Sequence, residues 1–167
     1  PEYWAEEQDE QRYRRSLYLF RKRAMPDPTL SSFDAPNGDF SCVRRIRSNT
    51  PLSALTSLNE PVFVEASQAL ALRILNEARP GEDDRVNYGY LLTTGRPANQ
   101  MEIQEVLNLI DSQKQRLAEG WLDIREIGFK DPDHLPELPK GVTPRDVAGW
   151  TIASRVLLNL DETITKN

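Results

Sequence analysis

Apolar residues recur at helical spacing from the start of the chain. Positions 13, 17, 20 and 24 are apolar or aromatic and share one helical face, which predicts a first helix over about residues 4–23. Met25-Pro-Asp-Pro28 ends this helix, because proline cannot continue the backbone hydrogen bonding. Residues 26–49 have no helical period and predict a long irregular loop, within which Ser41–Ile46 forms a short extended piece.

Later helices begin at recognisable caps. Thr50-Pro51 and Asn59-Glu60-Pro61 each place a capping side chain before a proline that suits the first helical turn. Ten of the fourteen residues from Val62 to Leu75 are apolar, which is typical of a buried central helix. Further helices are predicted to start at Asp83 or Asp84, at Asn99 with Glu102 as a capping box, and at Thr143-Pro144.

The sum of these elements predicts an all-α fold. It is an irregular bundle of five or six helices, with the long loop after the first helix and a Pro-rich loop over residues 121–142 before the last one. The length of 167 residues suits one helical domain over 1–167. Thr50, Asn59 and Asn159 are predicted to have structural roles, the first two as helix caps and the third as an amide bridging a loop to the last helix.

The counts of cysteine and histidine exclude several kinds of site. Cys42 is the only cysteine, so no disulfide can form within the chain. His134 is the only histidine, and one residue of each type is too few for a zinc site. No apolar run approaches the length of about 18 residues that a membrane-spanning helix needs. The residues therefore predict no metal, no cofactor and no membrane insertion.

The charges are distributed unevenly. The net charge of −5, from 26 acidic and 21 basic side chains, argues against a nucleic-acid partner. Residues 12–47, however, carry nine basic and three acidic side chains and so have a charge of +6, which leaves −11 on the rest. Two interpretations stay open: this cationic segment pairs with the acidic remainder, or it forms a surface that recognises anions.

The cationic segment supplies the first candidate site. Arginine offers a planar fork of donors that fits carboxylates, sulfates and phosphates. The candidates for binding an anion or a partner are Arg14, Arg15, Tyr18, Arg44, Arg45 and Arg47. The alternative is that these arginines pair with carboxylates of the same chain, for example Asp34, Asp161 or Glu162.

The irregular loop supplies the second candidate site. A cysteine beside arginine can become a nucleophile, and Asp34 could act as a general base, which would make Asp34 and Cys42 an enzymatic pair. No histidine base accompanies them, and a structural role for Asp34, Cys42 and Asn49 is the favoured interpretation. Whether the chain is an enzyme stays open.

Several segments together resemble a known family. They are Tyr13-Arg-Arg-Ser-Leu-Tyr-Leu-Phe-Arg-Lys-Arg23, Phe33-Asp-Ala-Pro with Cys42-Val-Arg-Arg and Asn49-Thr-Pro-Leu-Ser-Ala-Leu55, Leu157-Leu-Asn-Leu-Asp-Glu162, and Thr93-Thr-Gly-Arg-Pro97 followed by Glu102. They resemble a planctomycete domain of unknown function that lies C-terminal in large exported proteins, which often also carry a cytochrome c-like domain. The resemblance extends over nearly the whole chain. It departs from the family at Ser53, where the family has glutamine, and at Thr163, where an aromatic residue is common.

The resemblance implies a setting more than a reaction. It implies an extracytoplasmic location, periplasmic or at the cell surface, and a chain that is the C-terminal fragment of a larger protein. Sister domains of that protein are the expected partners, and any haem belongs to one of them. The leading hypothesis is a non-catalytic interaction or structural module. The alternative is an enzyme or binding module that acts on an anionic polysaccharide, sulfated or acidic, through the arginine-rich surface.

Overall fold

The computed structural model describes residues 10–20, 25–36, 38–44, 48–120 and 122–165. It divides the chain into two compact units, Pro1–Ser53 and Ala54–Asn167. The described residues contain eight α-helices and no strand, and five of the helices are longer than six residues. The prediction of an all-α fold is confirmed.

The beginning of the first unit differs from its prediction. Its described residues form two short 3-10 turns, Glu10–Tyr13 and Ser16–Tyr18, where a continuous α-helix was predicted. The predicted first helix is therefore wrong over residues 10–20, while its parts at 4–9 and 21–23 lie outside the described residues. The physical reason is that Leu17 stays 80% exposed. An amphipathic face without tertiary packing gains little, and most helix stability in proteins comes from such packing.

The predicted long loop contains one short helix, α1, Pro28–Ser32. Asp27 caps it, since its side chain accepts a hydrogen bond from the Leu30 amide at 2.9 Å. The prolines that were expected to stop a helix thus begin one. Ser41–Arg44 has no strand pairing, and residues 45 and 46 of the predicted extended piece lie outside the described residues.

Helix α2, Pro51–Asn59, spans the end of the first unit and the start of the second. Thr50 precedes it, and its hydroxyl accepts a hydrogen bond from the Ser53 amide at 3.1 Å. The Ser53 hydroxyl donates in return to the Thr50 carbonyl at 2.8 Å. Ser53 therefore takes part in the start of the helix at the position where it departs from the family pattern.

The second unit consists of the remaining helices. They are α3 (Pro61–Glu77), α4 (Glu82–Thr94), α5 (Gln100–Ala118), α6 (Ile124–Gly128), α7 (Pro144–Leu158) and α8 (Asp161–Ile164). Asn99 and Glu102 form the predicted capping box of α5. Thr143 and Asp146 form another at α7. The N-cap of α3 is Glu60 rather than Asn59, because the Glu60 carboxylate reaches the Val62 amide at 2.9 Å.

Helix α7 is the centre of the second unit. It packs against α3, α4, α5, α6 and α8. Its buried residues include the small Ala148, Gly149, Ala153 and Ser154, which let neighbouring helices approach closely. The expectation that the helix after Pro61 is central needs correction, because only part of α3 is buried and its Ala69 faces solvent.

A glycine brings α4 against the core. A Cβ built on Gly89 would lie 3.0 Å from Leu157 Cδ1 and 3.1 Å from Ile74 Cδ1, and both of those side chains are fully buried. The absence of a side chain at Gly89 therefore lets α4 reach α3 and α7 at once.

The Pro-rich segment before α7 is irregular as predicted, apart from the short α6. Gln68 of α3 holds α6 of this segment, because the amide nitrogen of Gln68 donates to the carbonyls of Glu126 and Ile127 at 3.2 and 3.0 Å. Phe129 is buried in the core. Among the described helices, none combines the length and apolarity that crossing a bilayer requires.

Candidate functional site

The arginine candidates that the structure describes lie at the surface. Arg14, Arg15, Tyr18 and Arg44 are all exposed. Within the described parts of the chain, no ion pair joins these three arginines to a carboxylate. Arg45 and Arg47 lie outside the described residues.

The carboxylates proposed as their partners have other bonds. Glu162 pairs with Arg96 at 2.8 Å. Asp161 accepts a hydrogen bond from the Thr165 hydroxyl at 3.2 Å. Asp34 accepts two hydrogen bonds from Ser48, at 2.8 Å from its amide and 2.6 Å from its hydroxyl.

Asp34 joins the two ends of a loop. Its φ of +53° is a left-handed conformation, which aspartate tolerates better than most residues. Since Ser48 is bound to its carboxylate, positions 34 and 48 lie beside each other, as at the base of a loop. Asp34 is thus placed as an anchor of this loop.

Residues 38–44, which we call the apolar tip, lie within that loop. Phe40 is 83% exposed and Val43 is fully exposed. Cys42 between them is a free, exposed thiol, and Arg44 follows at the surface. Two large apolar side chains within four residues are thus presented to water beside a cation.

The asparagine candidates lie at chain turns. Asn49 is exposed, just before the start of α2. Asn59 ends α2, and its amide nitrogen donates to the Leu55 carbonyl at 2.9 Å. Asn159 follows α7 as its C-cap. Its side-chain oxygen is buried, with no hydrogen-bond partner in the part of the chain that the structure describes.

The most extensive polar cluster in the second unit centres on Arg96. This residue lies in the connection between α4 and α5. Its guanidinium holds Glu102 of α5 in a two-point contact at 2.7 and 2.9 Å. It holds Glu162 of α8 in a second one, with both distances 2.8 Å. It also lies over the ring of Tyr90, 5.5 Å from the ring centre.

The cluster changes the protonation equilibria of its members. Hydrogen bonds from Arg96, and from the Asn99 amide, lower the pKa of Glu102 to about 2. Arg96 likewise lowers the pKa of Glu162, and the two carboxylates raise the pKa of Arg96. Burial raises the pKa of Tyr90. All three charged groups stay ionised near neutral pH, so the cluster is suited to holding α8 in place rather than to transferring protons.

Sequence reasoning missed the role of Arg96. The three residues that meet in the cluster all belong to family-like motifs. Arg96 and Glu102 lie in Gly95-Arg-Pro97 and just after it, and Glu162 ends the last of those segments. Gly95-Arg-Pro97 was interpreted only as a helix end. Gly95 does end α4, with a φ of +83°. The spatial meeting of two distant motifs at one guanidinium could not be inferred from their spacing.

Other charged groups form separate pairs. Lys114 pairs with Asp146 at 2.8 Å, and Lys130 pairs with Glu65. His134 contacts Asp131 at 3.0 Å in an exposed turn. Among residues that the structure describes, no group of three or more histidine, cysteine, aspartate or glutamate side chains could hold a metal ion. These arrangements can stabilise a fold and present a surface, and they assemble no set of reactive groups.

Comparison with known proteins identifies a family. A family model described as "PSD1: Protein of unknown function (DUF1553)" matches residues 1–110. The match contains all the family-like segments except Leu157–Glu162. No curated protein and no solved structure matches the chain.

Proposed function

Since the chain belongs to the PSD1 family of proteins of unknown function (DUF1553), we propose its role from its own geometry: it is a non-catalytic helical module that binds a protein partner. The proposal concerns the surface of the first unit. The second unit has its own core, whose buried cluster runs from Ala71 to Leu157 among the described residues.

The observation that carries the proposal is the exposure of large apolar side chains. In the first unit, Leu17 is 80% exposed and Tyr18 is 68% exposed, and Phe40 and Val43 are exposed further along. Apolar residues scattered singly on a surface are ordinary, whereas neighbouring exposed ones such as Leu17 and Tyr18 suit an interaction site. Burying them against a partner would contribute roughly 1.5–3 kcal/mol for each large side chain.

The charged residues support binding over catalysis. The carboxylate of Asp34, the suggested general base, is occupied with Ser48 at the anchor of its loop. In the second unit, Arg96 and Lys114 are likewise engaged with carboxylates. Cys42 is a free, exposed thiol, but the suggested base that would activate it, Asp34, is held in the hydrogen bonds with Ser48.

The setting is part of the proposal. We place the module in an exported, extracytoplasmic protein of planctomycete type, among sister domains that include a cytochrome c-like one. Its partner is then one of those sister domains. The support for this setting is the family-like motifs quoted from the sequence.

A second candidate function has one observation in its favour. Arg14, Arg15 and Arg44 are exposed, and no ion pair to a described carboxylate engages them. Such arginines could bind sulfate or carboxylate groups of an anionic polysaccharide.

A binding experiment tests the module. The chain is titrated by calorimetry with the separately purified remainder of its full-length protein. We expect a complex that Leu17→Ser and Tyr18→Ser weaken about tenfold or more, since truncation of a buried anchor has an effect of this size. Met101→Ser is the control, because Met101 is 76% exposed on the second unit.

Two outcomes would contradict the proposal that the chain is a protein-binding module. One is the absence of any complex at low ionic strength. The other is tight binding of dextran sulfate that Arg14→Ala and Arg15→Ala abolish while Leu17→Ser leaves it unchanged, which would favour the polysaccharide function.

A further inference from the structure

We infer that α8, Asp161–Ile164, is a strap that opens and closes while the longer helices of the second unit stay folded, and that the contact between Arg96 and Glu162 is its latch. Opening of the strap controls access to one edge of the Arg96 guanidinium. The inference concerns the second unit alone and does not depend on the partner proposed for the first unit.

Helix α8 buries little apolar surface. None of its residues is buried, whereas α7 carries buried residues from Val147 to Leu157. Ile164 of α8 and Leu160 just before it are half-buried, and Leu160 packs against the core. Segments that bury few apolar contacts open locally at a lower free energy than global unfolding requires. Apolar packing alone therefore holds α8 less firmly than it holds α7.

Polar contacts join α8 to other elements. The Glu162 carboxylate accepts hydrogen bonds from Nε and Nη2 of Arg96, with both distances 2.8 Å. The Thr163 hydroxyl donates to the Leu157 carbonyl of α7, also at 2.8 Å. The side chains of Arg96 and Glu162 are 39% and 54% exposed, so water and salt ions reach this pair. Salt screens such a pair much more than it screens a buried one.

The latch can open without releasing Arg96. Glu102 contacts Nη1 and Nη2 of the guanidinium at 2.9 and 2.7 Å, and Nη1 also donates to the Pro97 carbonyl at 3.1 Å. The Tyr90 ring lies against the same group. When α8 opens, the edge formed by Nε and Nη2 therefore faces water while the guanidinium keeps its place. That edge suits a carboxylate, since it holds the one of Glu162 when α8 is closed.

The charges that face Glu162 set the strength of the latch. Arg96 attracts its carboxylate, whereas Glu102 of α5 and Asp161 of α8 repel it. Glu162→Gln removes the attraction and should favour the open strap. Asp161→Asn is the matched control, because it removes the same charge from the next residue and keeps a side-chain oxygen for the Thr165 hydroxyl. It should leave the strap closed, since it removes a repulsive neighbour.

Amide hydrogen exchange of the wild-type chain, followed by NMR over a series of low urea concentrations, tests the separate opening. The amides of Ile164 and Thr165 report on α8, because they donate to the carbonyls of Leu160 and Asp161 at 3.1 and 2.7 Å. The amides of α7 report on the rest of the second unit. We expect the α8 amides to exchange faster and with almost no dependence on urea, whereas exchange in α7 rises steeply with urea.

The same measurement on the variants tests the latch. Glu162→Gln should speed exchange of the α8 amides about three- to tenfold, and Asp161→Asn should leave it as in wild type or slow it. The Nε proton of Arg96, observed in the same spectra, should follow the α8 amides in both variants. Raising the salt concentration from about 0.05 M to about 0.5 M should speed α8 exchange in wild type but not in Glu162→Gln.

Two results would overturn the inference. If the α8 amides of wild type exchange with the same rate and urea dependence as those of α7, α8 opens only when the whole unit unfolds, and there is no strap. If Glu162→Gln exchanges like wild type, or Asp161→Asn speeds α8 exchange as much as Glu162→Gln does, the contact with Arg96 is not the latch. Neither result bears on whether the first unit binds a protein.

Discussion

The guanidinium of Arg96 connects three elements of the second unit through two carboxylates. Glu102 and Glu162 each accept two hydrogen bonds from it. Bidentate pairs are stronger and more directional than the single contacts of most surface charges. The contribution of a charged residue thus depends on its geometry more than on its presence in the sequence.

Replacing Arg96 should lower stability measurably. We expect Arg96→Ala to lower the midpoint of urea denaturation, since Glu102 and Glu162 then face each other without a cation. Arg73→Ala is the control, because Arg73 pairs with Glu77 at exposed positions one helical turn apart, and we expect its loss to lower the midpoint less. Urea denaturation of both variants measures the difference, and equal losses would contradict the role of Arg96.

The same cluster predicts a dependence on pH. Arg96 lowers the folded-state pKa of Glu102 from 4.5 to about 2, so ionised Glu102 stabilises the fold above pH 4.5 and this contribution is lost as the pH falls towards 2. Glu102→Gln should therefore be less stable than wild type near neutral pH, and the difference should shrink in acid. Urea midpoints of both proteins at about pH 7 and about pH 3 test this. A difference that is the same at both pH values would contradict it.

At the scale of elements, α7 is central because several of its buried positions carry small side chains. Ala148, Gly149 and Ala153 offer little side chain, so α3, α5 and α6 can pack around one helix. The number of apolar residues favoured α3 instead. That number does not distinguish a helix that is surrounded by neighbouring helices from one that packs against them on a single face. Packing depends on shape as well as on apolarity.

Gly89 is the position at which this packing is most easily disturbed. Gly89→Val should destabilise the second unit by about 1–3 kcal/mol, because the added carbons overlap the buried methyl groups of Ile74 and Leu157. Ala69→Val is the control, since it adds a β-branched residue at an exposed position of α3. Thermal unfolding by circular dichroism distinguishes them. A loss no larger than that of the control would show that α4 can move away.

At the scale of the whole molecule, the buried hydrophobic cluster of the described residues runs from Ala71 to Leu157. The family match covers residues 1–110, so it ends inside α5 and excludes α7. The best-matched part of the chain is therefore not the part that contains the centre of the core. Residues that recognise partners need not coincide with those that hold a fold together.

This division predicts that the second unit folds by itself. A fragment of residues 50–167, which keeps α2 and its cap, should retain the helical circular dichroism of its segment and unfold cooperatively. Its midpoint should lie within a few degrees of that of the full chain, because no residue that the structure describes in the removed segment belongs to the core cluster. Loss of a sigmoidal transition would show that the first unit is needed for folding.

Local chemistry predicted several of the helix starts. Helix caps act through neighbours within about four residues, so Asn99 with Glu102 and Thr143 before Pro144 were readable as helix starts. The first helix failed because periodicity reveals an amphipathic face without revealing whether a partner covers it. Over residues 10–20 the side chain of Leu17 stays in water, and the chain forms short 3-10 turns.

The amino-acid sequence by itself determined the all-α class, the helix starts after Thr50, Asn99 and Thr143, the exclusion of a disulfide and the uneven distribution of charge. These depend on composition and on interactions between near neighbours. Only the tertiary structure decided which helix is central, that Glu162 binds Arg96, and that Asp34 anchors a loop whose tip exposes Phe40 and Val43. Each of these depends on which distant residues meet in space, and that is decided by packing of the whole chain rather than by any local pattern.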